Sequence, residues 1–538
     1  MANPGMLYVT MQPKLGLPIH QFHEWYNNEH GPTRLRLPQI FSNGLRYRAA
    51  DGKEPEFLAV YDIVSMPLLE TDTYTSLRAN RSPREAETIG QVDVKRYFWD
   101  LVSATESPLF IPIEQLADDE AESILLLSLE FKLSDTADAE RETSMWLKEH
   151  VSSISKLAGW LRSRVLRTSS LESGSPISFI ALHEFSKAEL ATATHLLTSS
   201  PLGWNDIREK YATVNSQRLY ELFYVFGPAS RDLHNLSRLE PSTPNFTFPD
   251  HKTITSAATS TIFSYVTNPD GLEIPYKLEG NPDPKAPVIA FCNSLLTSLD
   301  MWNPLVKILK AQRPQYRILR YDFRGRHSIP SPPVPATLNT LADDLSSVLS
   351  ALRIPKLDTL IGVSMGGATT LRFALKYPDK LGRFIACDFN VASSPANTEA
   401  WKQRIAIAET PLEDGVPGIQ KLAKQTVERW FHPDTMEKKQ ETVRWVEDMV
   451  AKNNLEGFRY GCQALWDYDM KAQMKECQVP ALLVVGEGDG KGALVKAMDG
   501  FKGLLGKDGA ELAVVPEAGH LPMCENPEAF WKAVEGFL

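Results

Sequence analysis

Three residues in the second half of the chain have the types and the order that nucleophilic catalysis requires. The segment GVSMG (362–366) follows an apolar run and precedes a stretch of helical periodicity, which indicates a tight strand-to-helix turn presenting Ser364. A serine hydroxyl needs a base to take its proton. His520, directly after the last apolar run, can be that base, and Asp489, past the end of the preceding run, can orient it. The order serine, acid, histidine predicts an acyl-transfer reaction.

Two further requirements of this chemistry have candidates in the sequence. Asp388, after the run RFIAC, is an alternative acid for the base, although a structural role suits it better. The negative charge of a tetrahedral intermediate needs backbone N–H donors. We expect an oxyanion hole formed by Met365, which follows the nucleophile, and Leu295, in the loop after VIAFCN. The side chains of Asn293 and Ser294 either orient that loop or form an ordinary turn.

A second cluster of chemically useful residues lies in the segment FHEWYNNEHGP, residues 22–32. His23, Tyr26 and His30 recur at i, i+3 and i+7, which places them on one face of a helix. In one interpretation they line a barrel cavity and perform acid–base chemistry as a second site. In the other, Trp25 packs in the core and the Glu-His pair ends the helix, where the helix dipole favours a cationic histidine.

The elements that must position these residues follow two different patterns. Two stretches of the first half share sequence blocks at a nearly constant spacing of about 120 residues, which indicates a duplicated domain. Each copy shows the order strand, helix, strand, strand, helix, strand, which is ferredoxin-like. The sequence therefore predicts two tandem α+β repeats, at 1–115 and 120–228, whose sheets form one pseudo-dimeric barrel. The matching residues are Trp25 with Trp146, His30 with His150, and Ser65 with Ser186.

The second half alternates short apolar runs with amphipathic stretches. This pattern predicts an α/β domain over 259–538, with a mostly parallel sheet covered by helices on both faces. Residues 229–258 carry prolines and polar residues with little periodicity, which indicates a linker. Between about 394 and 470 the strand signals stop, and the Trp-rich helical stretch predicts a lid.

The second half also resembles α/β-hydrolases of the 3-oxoadipate enol-lactonase type. The segments that carry the resemblance are NSLLTSLDMWNP, YDFRGR, TLADDLSSVL, GVSMGG, RWFHPD, EGFRYGCQALWDYDM and GHLPMCENPE. The resemblance implies a serine hydrolase that acts on a small ester or lactone. In such proteins the lid shapes the pocket, which marks Trp401, Arg404 and Trp430, together with Ser294, as candidate substrate-binding residues. An arginine there is a natural partner for a carboxylate, whereas lid tryptophans often only pack.

The chain departs from that family pattern at several points. SLGT of the family appears as SLLT, so that Leu296 either narrows the pocket or shifts the oxyanion loop. RGHGxS appears as RGRHS, and the acid loop GEGDGKGALV lacks the usual proline. The resemblance therefore does not extend to the enol-lactone as substrate.

The segment FHEWYNNEHGP is similar to the motif of EthD-like dimeric α+β barrel proteins. That group includes small enzymes that act on polyketides and aromatic metabolites. The second copy has Leu147 where the first has Tyr26, and it lacks the following Gly-Pro. Such degeneracy suits a retained scaffold with at most one live site.

The composition excludes several classes of function. The chain of 538 residues carries a formal net charge of −10 and has no Lys/Arg cluster, so we expect no nucleic acid partner. Its 5 cysteines are an odd number without a CxxC pair, which argues against a disulfide framework and a zinc site. No signal peptide and no membrane-spanning apolar run is recognisable, which predicts a cytoplasmic protein without a membrane partner.

Taken together, the residues predict a serine hydrolase that cleaves a small ester or lactone, with no cofactor and no metal. A non-hydrolytic or C–C bond reaction in the same pocket, such as retro-Claisen cleavage, decarboxylation or cyclisation, is the first alternative. A bifunctional chain with a second site in the N-terminal barrel is the other. The fusion favours specialised, polyketide-like metabolism. The oligomeric state stays open, and a monomer is compatible with a barrel closed within one chain.

Overall fold

The structure is a computed structural model that describes residues 3–172, 174–189, 207, 210–411 and 415–538. The chain forms two units, Met1–Ser230 and Arg231–Leu538. The first is built on antiparallel strands and the second on a mixed sheet. None of the helices that the structure describes is long and apolar enough to cross a membrane.

In the first unit, eight of the described strands close into a barrel. They are β1 (Gly5–Pro13), β2 (Leu45–Ala49), β3 (Phe57–Ile63), β4 (Val92–Glu106), β5 (Ile124–Leu133), β6 (Trp160–Thr168), β7 (Ser178–Ser186) and β8 (Ala212–Val225). Their order around the barrel is β1-β3-β2-β8-β5-β7-β6-β4, with antiparallel neighbours. The first half contributes β4-β1-β3-β2 and the second contributes β8-β5-β7-β6, which is the same order. The assignment of the halves as ferredoxin-like repeats stays a prediction.

Burial is nearly continuous along β1, β3 and β5, and successive side chains of a strand point to opposite faces, so the barrel wall has buried apolar residues on both faces. Met6 and Tyr8 of β1 belong to a cluster that draws on all eight strands and fills the interior of the barrel. Leu7 and Val9 belong instead to a cluster with helix residues of the first half. A third cluster covers the outer face of the second half around Trp146. Each half therefore carries a helical layer on the outside of the barrel.

The described helices of the first unit are mostly short. They are α1 (Ile19–Trp25), α2 (Gly31–Leu35), α3 (Asp72–Ala79), α4 (Pro83–Gly90), α5 (Asp118–Ala121) and α6 (Ala139–Ile154). Between α1 and α2 the chain forms a π turn at Tyr26–His30, in which the amide of Gly31 donates to the carbonyl of Tyr26. The sequence predicts a regular helix here, and the wider turn changes which side chains share a face.

The second unit is built on a ten-stranded sheet. Its strands are β9 (Phe246–Thr247), β10 (Ile254–Ser256), β11 (Thr261–Thr267), β12 (Glu273–Gly280), β13 (Val288–Cys292), β14 (Arg317–Tyr321), β15 (Leu357–Val363), β16 (Leu381–Cys387), β17 (Ala481–Gly486) and β18 (Glu511–Val515). The order is β18-β17-β16-β15-β13-β14-β12-β11-β10-β9. Strands β13 to β18 are parallel to one another, and β9 to β12 add an antiparallel extension at one edge.

Helices pack around this sheet, and five of the six described helices between β16 and β17 form an insert. The described helices are α7 (Leu233–Leu236), α8 (Asn303–Gln312), α9 (Leu338–Ala351), α10 (Met365–Lys376), α11 (Pro395–Glu409), α12 (Gly418–Trp430), α13 (Pro433–Lys438), α14 (Gln440–Ala451), α15 (Leu455–Cys462), α16 (Lys471–Met474), α17 (Ala493–Lys502), α18 (Pro522–Glu525) and α19 (Pro527–Val534). We call α11 to α15 the helical insert. It occupies the segment in which the sequence predicts helices and no strands.

The predicted linker is more ordered than its composition indicates. Within 229–258 the chain forms α7, β9 and β10, and the two strands pair at the edge of the sheet. Strands of two and three residues are too short to show a period of two, so the sequence pattern gives no sign of them.

Candidate active site

Ser364 occupies a sharp turn between β15 and α10. Its backbone has φ 60° and ψ −119°, which is a strained conformation for any residue other than glycine. The amide of Ser364 donates to the carbonyl of Cys387 at 2.9 Å, and its own carbonyl accepts from the amide of Ala368 at 3.1 Å. The turn is thus held by the neighbouring strand on one side and by the first turn of the helix on the other.

The glycines of GVSMG are required by close approaches of backbone to backbone. A Cβ atom on Gly362 would lie 2.2 Å from the carbonyl oxygen of Gly366. A Cβ atom on Gly366 would lie 2.1 Å from the carbonyl oxygen of Cys292. Only glycine permits these contacts. They bring the serine turn against the end of β13, directly before the loop that carries Leu295.

Asp489 and His520 are hydrogen-bonded to each other. The Nδ1 atom of His520 lies 2.7 Å from Oδ2 of Asp489, and both side chains are largely buried. Asp489 begins the turn after β17, and His520 lies in the loop after β18. With the Nδ1 proton donated to the carboxylate, the Nε2 atom of His520 is left to accept a proton from a nucleophile.

Asp388, the alternative acid, lies beside this pair. One carboxylate oxygen of Asp388, one of Asp489 and a ring nitrogen of His520 all lie within 4.8 Å of one another. The Oδ1 atom of Asp388 accepts from the amide of Gly486 at 2.8 Å. Burial, and then the charge of Asp489, raise the pKa of Asp388 well above its ordinary value. Burial and the neighbouring carboxyl of Asp489 therefore favour the protonated form of Asp388, because two charges so close in a buried site would repel.

A buried carboxylate fixes the loop that carries His520. The Oε1 atom of Glu525 accepts from the amides of Gly519 at 2.9 Å and Leu521 at 3.3 Å, which flank the histidine. Its Oε2 atom accepts from the amide of His432, in the helical insert, at 2.7 Å. Glu525 therefore ties the histidine loop to the insert. It lies in the quoted segment GHLPMCENPE, but its type and spacing gave no indication of this role.

Trp430 makes a second connection between the insert and the histidine loop. Its carbonyl accepts from the amide of His520 at 2.7 Å. Its ring lies 5.3 Å from the imidazole ring, with the two planes 30° apart. Trp430 is a candidate substrate-binding residue from the sequence, and in the structure it also packs against His520.

Asn293 orients the loop after β13. Its Nδ2 atom donates to the carbonyl of Tyr321 at 2.9 Å, and its Oδ1 atom accepts from Nε1 of Trp302 at 2.9 Å. Both contacts are buried, so the side chain is fully committed to holding the loop. Of the two interpretations of Asn293, orientation of the loop fits these contacts.

Ser364, the Asp489–His520 pair and Trp430 border one cavity of about 420 Å³. The residues proposed from the sequence that line it are Ser294, Leu295, Ser364, Met365, Trp401, Arg404, Trp430, Asp489 and His520. The structure thus brings together every residue proposed for this site. The cavity is also lined by residues that were not predicted from the sequence, among them Phe389, Asn390, Asn397, Arg429 and Tyr468. Arg429 and Tyr468 lie in RWFHPD and EGFRYGCQALWDYDM, two of the segments that carry the family resemblance. Their presence in these segments was the signal that could have identified them.

Two arginines give the cavity a positive side. The guanidinium carbon of Arg404 lies 4.4 Å from the centre of the Trp401 ring. Burial lowers the pKa of Arg404, and burial followed by the charge of Arg404 lowers the pKa of Arg429 to about 10. Among the described residues, neither guanidinium forms an ion pair with a carboxylate. Two partly desolvated cations that repel each other form a site for an anion.

Leu296 replaces a glycine of the family pattern, and its backbone in the loop is strained. Its φ is 73°, a left-handed conformation that favours glycine. Its carbonyl accepts from Nδ2 of Asn453 at 2.7 Å and from a guanidinium N–H of Arg326 at 3.1 Å, which hold the conformation. The side chain is buried and lines a small separate space of about 20 Å³. Of the two expectations for Leu296, an altered loop fits and a narrowed main cavity does not.

The residues proposed as a second site are only partly brought together. Tyr26 and His30 line a small cavity on the outer face of the first half, not the interior of the barrel. His23 is instead packed near the rings of Phe57 and Phe223, at 5.0 and 5.4 Å. His23 therefore does not line this cavity, although its ring packs against the same outer cluster as Tyr26, and a second site formed by the three residues stays a prediction.

The capping interpretation of the Glu-His pair is also wrong. The helix continues into α2 beyond His30, so the pair does not end it. Burial, followed by the charge of Arg34, lowers the pKa of His30 to about 4 against the opposing effect of Glu85. His30 is therefore neutral near pH 7. Trp25 is buried in the core, as that interpretation expects.

Comparisons with known proteins concern the second unit. A family model described as alpha/beta hydrolase fold matches residues 287–527. The chain is 29% identical over 252 residues to 3-oxoadipate enol-lactonase 2 of Acinetobacter baylyi, a match that covers 47% of this chain and 88% of that protein. It is 29% identical over 276 residues to 3-oxoadipate enol-lactonase 1 of the same organism, covering 51% of this chain and 96% of that protein.

A solved structure gives a similar match. The chain is 30% identical to the enol-lactonase from Burkholderia xenovorans LB400, with a TM-score of 0.45. That match covers 51% of this chain and 98% of the other. Each of these relatives is thus matched over nearly its full length by about half of this chain.

Proposed function

Because residues 287–527 form an α/β-hydrolase domain and the chain is a hydrolase enzyme, we propose that it cleaves a small ester or lactone through an acyl-enzyme formed on Ser364. The observation that carries the proposal is the convergence of the strained Ser364 turn and the Asp489–His520 hydrogen bond on one cavity. In this proposal Ser364 is the nucleophile, His520 the base and Asp489 the residue that orients it.

The chemistry proceeds in two steps. The Oγ atom of Ser364 attacks the carbonyl carbon, and its proton passes to Nε2 of His520. The amides of Leu295 and Met365 hold the oxyanion, which collapses to an acyl-enzyme while His520 protonates the leaving oxygen. Water then attacks the acyl carbon, gives its proton to His520 and releases the carboxylate, and Ser364 recovers its proton. For a lactone, the leaving oxygen stays attached to the acyl group.

The first test replaces the nucleophile. For Ser364→Ala we expect kcat/KM for p-nitrophenyl acetate to fall at least about 1,000-fold with an unchanged melting temperature, since the side chain makes no structural contact that alanine would lose. A matched control is Ser346→Ala, which removes a hydroxyl from α9 outside the cavity. Turnover that survives the Ser364 change would exclude covalent catalysis at this serine.

A second measurement distinguishes hydrolysis from decarboxylation or cyclisation in the same pocket. Hydrolysis of an acyl-enzyme incorporates oxygen from water into the released acid. Turnover in ¹⁸O-water followed by mass spectrometry should therefore show one labelled oxygen in the product acid. Product without label would favour decarboxylation or cyclisation over hydrolysis.

The arginine pair supports a substrate that carries a carboxylate. Among the described residues Arg404 and Arg429 form no ion pair, although the charge of Asp489 acts on Arg429, and both arginines line the cavity that contains Ser364. A carboxylate on the substrate would neutralise two cations that otherwise repel each other. The aromatic rings of Trp401, Trp430 and Tyr468 would enclose the rest of the molecule. In this proposal the helical insert is the lid that supplies both charge and rings.

We expect the arginines to discriminate between acidic and neutral esters. For Arg404→Gln and Arg429→Gln, kcat/KM for the mono-p-nitrophenyl ester of succinate should fall about 10- to 100-fold, the equivalent of 1.5–3 kcal/mol for a charged hydrogen bond. The value for p-nitrophenyl butyrate should change little. Arg444→Gln, on the exposed side of α14, is the matched control. Equal losses on both substrates would refute carboxylate recognition.

For the first unit, we propose two tandem ferredoxin-like repeats similar to EthD-like barrel proteins. The support is the identical strand order of the two halves and the FHEWYNNEH segment on the outer helical layer.

A further inference from the structure

The π turn at Tyr26–His30 is a feature of the first half of the barrel unit and has no equivalent in the matching helix of the second half. In the second half, α6 is a regular α-helix in which Trp146 and His150 stack at 4.9 Å with their planes 17° apart. In the first half, the π turn brings the ring of His30 within 4.6 Å of Tyr26 and 4.9 Å of Trp25. Single π turns inside helices often mark functional sites. Because the second half folds without one, the fold itself does not require it.

The π turn borders a small cavity between the helical layer and the outer face of the barrel. It encloses about 10 Å³, which is room for a water-sized group. Its polar and aromatic lining residues are Trp25, Tyr26, His30, Arg34, Tyr61 and Arg96. Arg96, Ile89 and Val94 are partly exposed lining residues, whereas those of the π turn are buried. The cavity therefore opens to solvent on the side of Arg96.

Two guanidinium groups meet at this cavity without a carboxylate between them. Arg34 is buried, and its guanidinium donates to the carbonyl of His30 at 2.6 Å. Burial, followed by the charge of Arg34, lowers the pKa of Arg96. Within the described part of the chain, neither arginine forms an ion pair. Glu85, whose charge acts on Arg34, supplies one negative charge against these two cations, so the excess positive charge favours an anion from outside the chain.

The remaining polar groups favour the same kind of ligand. The hydroxyl of Tyr61 donates to the hydroxyl of Tyr26 at 3.2 Å, which leaves the Tyr26 proton available to another acceptor. The ring of His30 is fixed by a hydrogen bond of 2.9 Å between its Nδ1 atom and Glu85, so it forms a rigid wall. Glu85 is thereby engaged with His30 and does not serve the arginines as an ion-pair partner.

We propose that this cavity binds the oxyanion of a small acid, held between Arg34 and Arg96 with the Tyr26 hydroxyl as a further donor. The enclosed space has room for one oxygen atom of the acid, so the rest of the ligand lies at the mouth, against Ile89 and Val94. The site is separate from the hydrolase cavity, all of whose lining residues belong to the second unit. It does not depend on the reaction proposed for Ser364.

The test measures anion binding to the full chain after the hydrolase cavity has lost its cations. In the Arg404→Gln/Arg429→Gln protein, we titrate acetate, benzoate and inorganic phosphate by calorimetry at constant ionic strength. Saturable binding with one site per chain is the expected result. Tighter binding of benzoate than of acetate or phosphate assigns an organic acid, and tighter binding of phosphate assigns an inorganic one.

Two further variants locate the binding. In the same background, Arg96→Gln should weaken the preferred probe at least about tenfold, and Tyr26→Phe should weaken it by a smaller factor. Lys95→Gln is the matched control, because Lys95 adjoins Arg96 on β4 but points to the opposite face and is exposed. Absence of saturable binding for all three probes overturns the proposal. So does an equal loss for Lys95→Gln and Arg96→Gln.

Discussion

At the scale of single residues, the environment of the Asp489–His520 pair includes an acid whose role depends on its proton. Asp388 is buried, its Oδ1 atom is bound to the amide of Gly486, and its carboxyl lies beside that of Asp489. If Asp388 were ionised, it would compete with Asp489 for the positive charge on His520. Because it is protonated, it stabilises Asp489 instead. The sequence ranked Asp489 first and gave Asp388 a structural role, and the burial that raises the pKa of Asp388 agrees with that order.

The raised pKa of Asp388 predicts how stability depends on pH. A carboxyl whose pKa is raised in the folded state contributes fully below its unfolded value of 3.8, and the contribution is lost as the pH rises through the folded value. Asp388→Asn removes this titration while keeping the shape and an N–H donor. We therefore expect the variant to lose less stability than the parent between acidic and mildly alkaline pH, measured by thermal unfolding.

The same position should affect turnover only when the group is removed. Asp388→Asn should keep kcat within about tenfold of the parent value, whereas Asp388→Ala should lose more than that. A collapse of activity in the asparagine variant would mean that Asp388 acts as an ionised acid in catalysis. A pH profile of stability identical in parent and variant would contradict its protonated state.

At the scale of elements, the serine turn depends on glycines that permit contact between strand β13 and helix α10. For Gly366→Ala we expect a loss of about 4 kcal/mol or more, since the new methyl group would overlap the carbonyl oxygen of Cys292. Gly500→Ala in α17 is the matched control. It meets no atom within 4 Å, and alanine there should stabilise the helix by about 0.5–1 kcal/mol. Chemical denaturation measures both. Similar stabilities for the two variants would contradict the packing explanation.

The sequence predicted those elements that have a strong local signal. The parallel strands appear as continuous apolar runs because both of their faces are buried, and the GVSMG turn follows from its glycines. In the antiparallel extension, β9 and β10 are too short to show a period, whereas β11 and β12 do show alternating burial and were simply not identified from the sequence. The π turn was not predicted because it differs from an α-helix by a single inserted residue, which leaves no compositional trace.

The candidate site was likewise predictable where its residues follow strands that have a strong local signal. Serine, acid and histidine each follow an apolar run, so their order and their position at strand ends could be inferred. Glu525 binds the amide of His432, which is distant in sequence, and the partner of Arg429 is unknown. No local pattern therefore marks either residue. His23 was grouped with Tyr26 and His30 by helical spacing, and that spacing could not show that it lies outside the small cavity.

At the scale of the whole molecule, the residues of the hydrolase cavity all belong to the second unit, Arg231–Leu538. We therefore expect a chain of residues 231–538 to fold by itself and to keep kcat/KM for p-nitrophenyl acetate within about tenfold of the full protein. Circular dichroism establishes folding, and the ester assay measures activity. A folded but inactive fragment would show that the first unit contributes to the hydrolase site.

The closed barrel has a consequence for which pieces of this chain can exist alone. Each half is paired to the other on both sides, through β2 with β8 and β4 with β6. A cut between β4 and β5 would uncover rows of unpaired backbone N–H and C=O groups, which recruit strands from other molecules and lead to aggregation. Loss of either half by deletion would leave its partner with open edges. In a barrel closed in this way neither half can be dispensed with, whether or not it takes part in any reaction.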